Sequence, residues 1–228
     1  MNQRLYLDWN ATAPLRPEAR AAMLAAMELV GNPSSVHAEG RAARALVERA
    51  RAQVAEAVGC APDMVVFTAG ATDAASVLRS FPRVDVQPGA HDALWAHRRG
   101  EGDADVYAMG LANSETGLIT EPPARTSQGW PVAGGHAARL LLDVTQAVGR
   151  IPFAFSWSDA DFAVLSAHKL GGPKGAGALI VRAGVEIAPL SLGGGQELSR
   201  RAGTENLIGL AGFGAAAEAA QQDLAKGV

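Results

Sequence analysis

Short apolar runs punctuated by Gly and Pro recur along the chain, and their period switches between helical and extended spacing. After Pro17, the residues Ala19, Met23, Ala26, Met27 and Val30 recur at helical spacing, and Pro17 suits a first helical position. A longer helix is predicted over 36–58, with Leu46, Ala50, Val54 and Ala57 on its inner face. The run 64–68 reads as a strand, followed by a turn at Ala69-Gly70 and a helix beginning near Thr72. Further strands are predicted at 84–87, 106–109, 140–143, 161–166 and 178–181, and an alanine-rich helix at about 206–225. Several of these strands are continuous apolar runs, as expected when both faces of a sheet are covered. Strands interleaved with helices predict an α/β fold, a mainly parallel sheet sandwiched by helices. Ligands of such sheets lie beyond the carboxyl ends of strands, where Thr68, Asp143 and the stretch from Ser166 to Lys169 fall.

Composition narrows the picture. A chain of 228 residues with 48% hydrophobic content holds one sizeable core and at most two small domains. A net charge of −3 argues against a polyanion partner or an anionic membrane surface. The arginines at 41, 44, 49 and 51 read as the wet side of an amphipathic helix. No apolar stretch is long enough to span a bilayer, and the start of the chain lacks a signal-peptide core. A single cysteine, Cys60, cannot form an internal disulfide. A cytoplasmic protein is the simplest expectation.

The candidate chemistry centres on Lys169, in Ser166-Ala167-His168-Lys169-Leu170-Gly171-Gly172, directly after the apolar run 162–165. An amine presented at the end of a buried strand suits a Schiff-base lysine, which would hold an aldehyde cofactor and then serve as base or acid. Lys174 is a rival in the same loop; a plain surface lysine is the competing reading for both. Upstream, Leu140-Leu141-Leu142-Asp143 ends a second apolar strand on a carboxylate. A pyridoxal 5'-phosphate (PLP) enzyme needs such an acid to keep its ring nitrogen protonated, although Asp143 could equally cap the next segment. Gln146 could donate to the ring hydroxyl or be an ordinary surface glutamine. The small-residue turn Gly70-Ala71-Thr72 could offer N–H groups to a phosphate, with Ser166 and His168 adding side-chain donors. His91 has no clear role from composition.

In order along the chain, these segments resemble the cysteine desulfurases, the NifS/IscS-like group of the class V aminotransferases, which are fold-type I PLP enzymes. The matching stretches begin with Tyr6-Leu7-Asp8-Trp9-Asn10-Ala11-Thr12-Ala13-Pro14 and Gly31-Asn32-Pro33-Ser34-Ser35-Val36-His37. They continue with Val66-Phe67-Thr68-Ala69-Gly70-Ala71-Thr72, Asn113-Ser114-Glu115-Thr116-Gly117 and Asp143-Val144-Thr145-Gln146-Ala147-Val148-Gly149. The last are the lysine loop, Gly193-Gly194-Gly195-Gln196-Glu197, and Arg201-Ala202-Gly203-Thr204-Glu205-Asn206. The resemblance implies that Lys169 binds PLP, that Asp143 pairs with the ring nitrogen and that Gln146 contacts the ring oxygen. It implies that Ala71, Thr72, Ser166 and His168 hold the phosphate, and that Thr204 reaches the phosphate of a neighbouring subunit in a homodimer. His91 would stack on the ring, and Asn10 and Asn113 would line the substrate pocket.

The departures matter too. The resemblance implies one PLP-binding large domain over 1–228, with 1–16 an N-terminal arm and the family's small C-terminal domain absent, together with its cysteine loop and substrate-gripping arginine. Cys60, in a helix-to-strand loop, is a poor substitute for that cysteine. Between His91 and Asn113 the chain is short, which implies a missing strand–helix unit, and Ser114 and Ala13 depart from frequent family residues. The leading expectation is a PLP-dependent sulfurtransferase: L-cysteine gives L-alanine, and sulfur passes to a thiol of an acceptor or scaffold protein for iron–sulfur cluster or thio-cofactor assembly. The alternatives are a non-catalytic scaffold or regulatory subunit of a full-length desulfurase, and another class V aminotransferase or lyase activity.

Overall fold

The computed structural model describes residues 5–227. Helix α1 runs Pro17–Met27, with proline in its first turn where a missing N–H costs nothing. Helix α2 runs Ala38–Val58; the His37 side chain accepts from the Gly40 N–H at its start, and Gly59 ends it in the left-handed region at φ 71°. Strand β1 is Val65–Thr68, entered from a tight turn at Pro62–Met64. The helix expected near Thr72 is a single turn, α3 (Ala71–Ala74), that tightens into 3-10 geometry through Ser80. Then follow β2 (Val84–Val86), α4 (Asp92–Trp95), β3 (Ala104–Gly110), β4 (Trp130–Val132) and β5 (Gly135–Asp143). Strands β6 (Phe162–Ser166) and β7 (Gly177–Val181) precede the closing helix α5 (Leu207–Lys226).

The strands form one sheet in the order β1-β7-β6-β5-β3-β2, with β4 paired to β5. Strands β2, β3, β5 and β6 are parallel, while β7 runs antiparallel to both of its neighbours, which aligns β1 with the parallel set. The carboxyl ends of β1, β2, β3, β5 and β6 therefore share one edge. The mainly parallel sheet expected from the apolar runs is present, but β7 and the short β4 run antiparallel to their neighbours. An apolar run buried on both faces looks the same in either direction, so hydrophobicity carries no signal of polarity.

Two cores flank the sheet. One packs α2 and α5 through Val47, Val54, Phe67, Leu140, Leu142 and Phe213; the other packs the α3 side through Leu78, Leu94, Leu141, Phe162 and Leu179. Alternate residues of β5 thus feed opposite cores, as the period-2 pleat requires. Helix α2 buries Val47 rather than Leu46, and Arg51 is buried among its inner residues instead of lying on the wet side. The apolar stripe expected on α1 is only partly covered: Ala19 and Ala26 are buried and Met23 is half-buried, whereas Met27, and Val30 beyond the helix, are exposed. Among the described residues, no helix is long and apolar enough to cross a membrane.

Edge strand β2 is closed by a single bridge: Val84 and Arg99 exchange N–H···O bonds of 2.9 Å each. The Arg99 guanidinium also donates to the Phe81 carbonyl, so the short connection after α4 still pairs part of the edge. That limits the run of free backbone groups an edge strand presents.

Candidate functional site

At the shared carboxyl edge lies a cavity of about 520 Å³, within the range of small-molecule sites. It takes in the ends of β1, β3, β5 and β6 through Ala71 and Thr72, Gly110, Asp143, and Ser166 with His168 and Lys169. Its mouth is formed by the stretches 87–93 and 112–118, which bring in His91 and Asn113, while Gln146 approaches from the turn after β5. Nine of the residues singled out from the sequence thus line one hollow; their separations along the chain are erased by the parallel strands ending together.

Each has a definite setting. The Ala71 N–H donates to Ser166 Oγ at 2.7 Å, joining the turn after β1 to the end of β6. That approach is close because Gly177 on β7 has no side chain: a Cβ there would sit 2.5 Å from Gly70 Cα. The Thr12 hydroxyl and His168 Nδ1 lie 3.1 Å apart. Burial lowers the proton affinity of His168, with Lys169 and Lys174 adding to the effect. His91 opens α4, its Nδ1 accepting from the Ala93 N–H at 3.0 Å, so the ring stands at the mouth in a fixed orientation. Asn113 organises its own loop, accepting from the Glu115 and Thr116 N–H groups and donating to the Gly89 carbonyl at 3.1 Å.

The two ionisable groups at the centre are both perturbed. Burial pushes the Asp143 carboxyl above the ordinary range; its Thr145 hydrogen bond and the charges of His91 and Lys169 oppose that rise without cancelling it. The carboxylate accepts one hydrogen bond among the described residues, from the Thr145 N–H at 2.9 Å. Thr145 Oγ1 is buried with no partner among the described residues. Lys169 is lowered below the ordinary lysine value by burial and then by Arg150, against the pull of Asp143, Asp8 and Glu115. Its Nζ donates to the Asn10 carbonyl at 2.6 Å.

Two of the sequence-selected residues stand apart from the cavity wall. Asn10 belongs to the N-terminal arm and crosses to the site from outside, donating to the Ser114 carbonyl at 2.9 Å and accepting from Gln146 Nε2 through its own carbonyl. Thr204 is exposed beside a smaller hollow with Thr68, Gly175 and Arg201. Lys174 is exposed and does not line the large cavity. Arg150 escaped the sequence reading. It donates to Asn10 Oδ1, Gln146 Oε1, and the Trp9 and Lys169 carbonyls. Its position one residue beyond the Asp143–Gly149 stretch, four after Gln146, was the available signal.

The model for aminotransferase class-V proteins matches residues 5–92 and 102–226. The chain belongs to the class-V aminotransferase family. The break between the two matched blocks falls in the short stretch between His91 and Asn113. A cysteine desulfurase of Frankia sp. (strain EuIK1) is 37% identical over 270 aligned residues, covering 97% of this chain and 63% of the relative. A cysteine desulfurase of Cereibacter sphaeroides is 39% identical over 263, covering 96% of this chain and 65% of the relative. This class-V chain therefore spans just under two thirds of the length of these curated relatives. Among solved structures, a NifS-like protein superposes with a TM-score of 0.84 at 27% identity, covering 98% of this chain and 71% of that one. The α/β fold is that of the NifS-like, fold-type I enzymes.

Proposed function

We propose that this class-V chain binds PLP in the large cavity and is a desulfurase-type sulfurtransferase unit acting on L-cysteine. The observation that carries the reading is the convergence of a half-buried amine, Lys169, and a desolvated acid, Asp143, in one hollow with hydroxyl, imidazole and N–H donors. The donor set fits the cofactor: a buried acid with one internal hydrogen bond suits a protonated ring nitrogen, and the orphaned Thr145 hydroxyl leaves a further polar group to satisfy. When bound, PLP supplies an electron sink for cleavage of bonds at the substrate α-carbon.

The chain's own residues would divide the work. Lys169 would hold the cofactor aldehyde and would carry a proton at the substrate α-carbon; burial and then Arg150 lower its proton affinity, which makes the neutral base more accessible. Asp143 would hold the ring nitrogen cationic, and Gln146 would donate toward the ring oxygen. Ser166, His168, Thr72 and the Ala71 N–H receive the phosphate, so the present Ala71–Ser166 bond would open or be shared. His91 would cover the ring face, while Asn10 and Asn113 would shape the substrate end. Thr204, on an exposed loop, is assigned to the phosphate of a second copy, which makes the working unit a homodimer.

Cys60 is not assigned the acceptor role. It sits before β1, toward the amino ends of the parallel strands, while the cavity lies at the carboxyl ends, and burial pushes its thiol up to about 12. A thiolate is the nucleophile in sulfur transfer, so a thiol from another polypeptide segment must receive the sulfur.

The test is optical. Purified chain mixed with PLP is expected to develop an absorbance band of the lysine-bound cofactor that is lost in Lys169→Ala. Alanine release from L-cysteine, with a small-molecule thiol as acceptor, then measures the reaction. Absence of the band in the unaltered chain removes the cofactor reading and leaves a scaffold role.

A further inference from the structure

Arg150 is a cation beside the cavity that no assigned role uses. It follows Gly149, whose left-handed φ of 72° turns the chain back after the Asp143 segment. Its guanidinium makes four hydrogen bonds: 2.7 Å to Asn10 Oδ1, 2.6 Å to Gln146 Oε1, 3.1 Å to the Trp9 carbonyl and 2.7 Å to the Lys169 carbonyl. All four acceptors are neutral, and among the described residues no carboxylate pairs with it. The donors of a planar fork are thus used while the charge is left uncancelled.

The four bonds have a common geometry. Two fasten the arm at Trp9 and Asn10, one fixes Gln146, and one ends on the backbone of the turn that carries Lys169. On the same arm, the Asn10 carbonyl accepts from Lys169 Nζ at 2.6 Å. We propose that Arg150 is a positioning residue for Lys169, clasping the N-terminal arm to the lysine turn and governing how readily that amine attacks a carbonyl. The inference rests on the reading of Lys169 as the working amine of this cavity.

Two effects combine. The clasp keeps the arm over the amine, orienting it toward a fixed acceptor and shedding water. The uncancelled cation disfavours an ammonium beside it, adding to the burial that is the larger cause of the lowered proton affinity of Lys169. Asp143 from β5, Asp8 from the arm and Glu115 from the mouth pull the other way, and His168 on the same turn is itself disfavoured as a cation. An ammonium has no lone pair, so Arg150 would raise the share of Lys169 able to react at a given pH.

The experiment needs no cofactor. The chain carries three lysines, Lys169, Lys174 and Lys226, so trace acetic anhydride labelling across a pH series can be read peptide by peptide by mass spectrometry. The amine nitrogen attacks one anhydride carbonyl, acetate leaves, an amide forms and the proton passes to buffer. In Arg150→Met the half-labelling pH of Lys169 is expected to rise, with labelling below that pH falling about tenfold for each unit of rise. Lys174 and Lys226 keep their profiles. Arg150→Lys retains the cation but not the fork: Lys169 reactivity returns toward that of the unaltered chain, while amide hydrogen exchange over residues 8–13 is faster in both variants. An unchanged Lys169 profile in Arg150→Met overturns the proposal, as does a rise shared equally by Lys174 and Lys226. If Arg150→Met does not fold, unchanged exchange over residues 8–13 in Arg150→Lys overturns it instead. Loss of the PLP absorbance test would remove the cofactor role, whereas loss here removes only the role of Arg150.

Discussion

Two polar regions against the sheet are built on opposite plans. Beside β1, Arg51 and Glu197 form a buried, two-pronged ion pair with N–O distances of 2.7 and 2.8 Å. Every remaining demand is met locally: Arg51 also donates to the Val65 carbonyl at 2.8 Å, and the Phe67 N–H donates to Glu197 at 2.7 Å. Burial alone would weaken the Arg51 cation, but the Glu197 partner outweighs it and holds the guanidinium firmly charged. In the cavity, by contrast, Asp143 is desolvated with one hydrogen bond, Thr145 keeps an orphaned hydroxyl, and Lys169 rests against a backbone carbonyl. The first region is completed by folding. The second retains polar groups whose demands folding does not meet, as expected of a site shaped for a ligand.

The finished region also braces the unfinished one. The Glu197 loop is joined to the turn after β1 a second time, because Arg201 pairs with Asp73 at 3.1 Å and Asp73 accepts from the Ala69 N–H. Residues 197–199 hold positive φ angles of 48°, 56° and 64°, a strained run for side-chain-bearing residues. The buried pair holds its first residue, and the Arg200 N–H closes the turn on the Glu197 carbonyl at 3.0 Å. The loop carrying Thr204 and the turn carrying Ala71 and Thr72 are thereby tied to one anchor.

The largest break in this contrast should come from Glu197→Ala, which strands the buried Arg51 charge. A loss of about 3–5 kcal/mol is expected in urea unfolding, and Arg51→Met combined with Glu197→Leu should recover most of it. Next comes Gly177→Ala. Its new Cβ meets the Gly70 backbone, so a loss of about 1–3 kcal/mol should accompany weaker PLP retention, read by equilibrium dialysis.

The smallest effect should have the opposite sign. Asp143→Asn in the cofactor-free chain is expected to raise the urea midpoint at pH 7, by less than either loss above. The folded state raises the proton affinity of Asp143, so the folded chain binds the more protons and stability falls as pH climbs through that raised value. The penalty grows as pH rises from the unfolded aspartate value toward the raised one and vanishes below the unfolded value, so the gain from Asn should shrink as pH falls. A loss of stability at pH 7 would mean that Asp143 is a satisfied structural acid like Glu197.

Sequence pattern and tertiary structure contributed different things here. Apolar runs bounded by Gly and Pro located β1, β2, β3, β6, β7, α1, α2 and α5 to within a few residues, because strand and helix periods are written in neighbouring side chains. Lys169, Asp143 and the Gly70–Thr72 turn stood out for a similar reason: each lies at or just beyond the end of a strand, and strand ends are local features. The hairpin of β4 was hidden in a polar stretch, and the exposed flank of α1 looked like core, since periodicity marks an apolar face without saying what covers it. Arg51 read as surface because arginine usually is, until a carboxylate 146 positions away made its burial tolerable. Arg150 likewise acquired its partners from the arm and from the lysine turn, 140 and 19 positions away. The chain's own order of residues determined the elements and the chemistry at their ends. The direction of β7, the gathering of those ends into one cavity, and the choice of which charges are cancelled were decided only in three dimensions, because each depends on groups far apart along the chain sharing the same desolvated space.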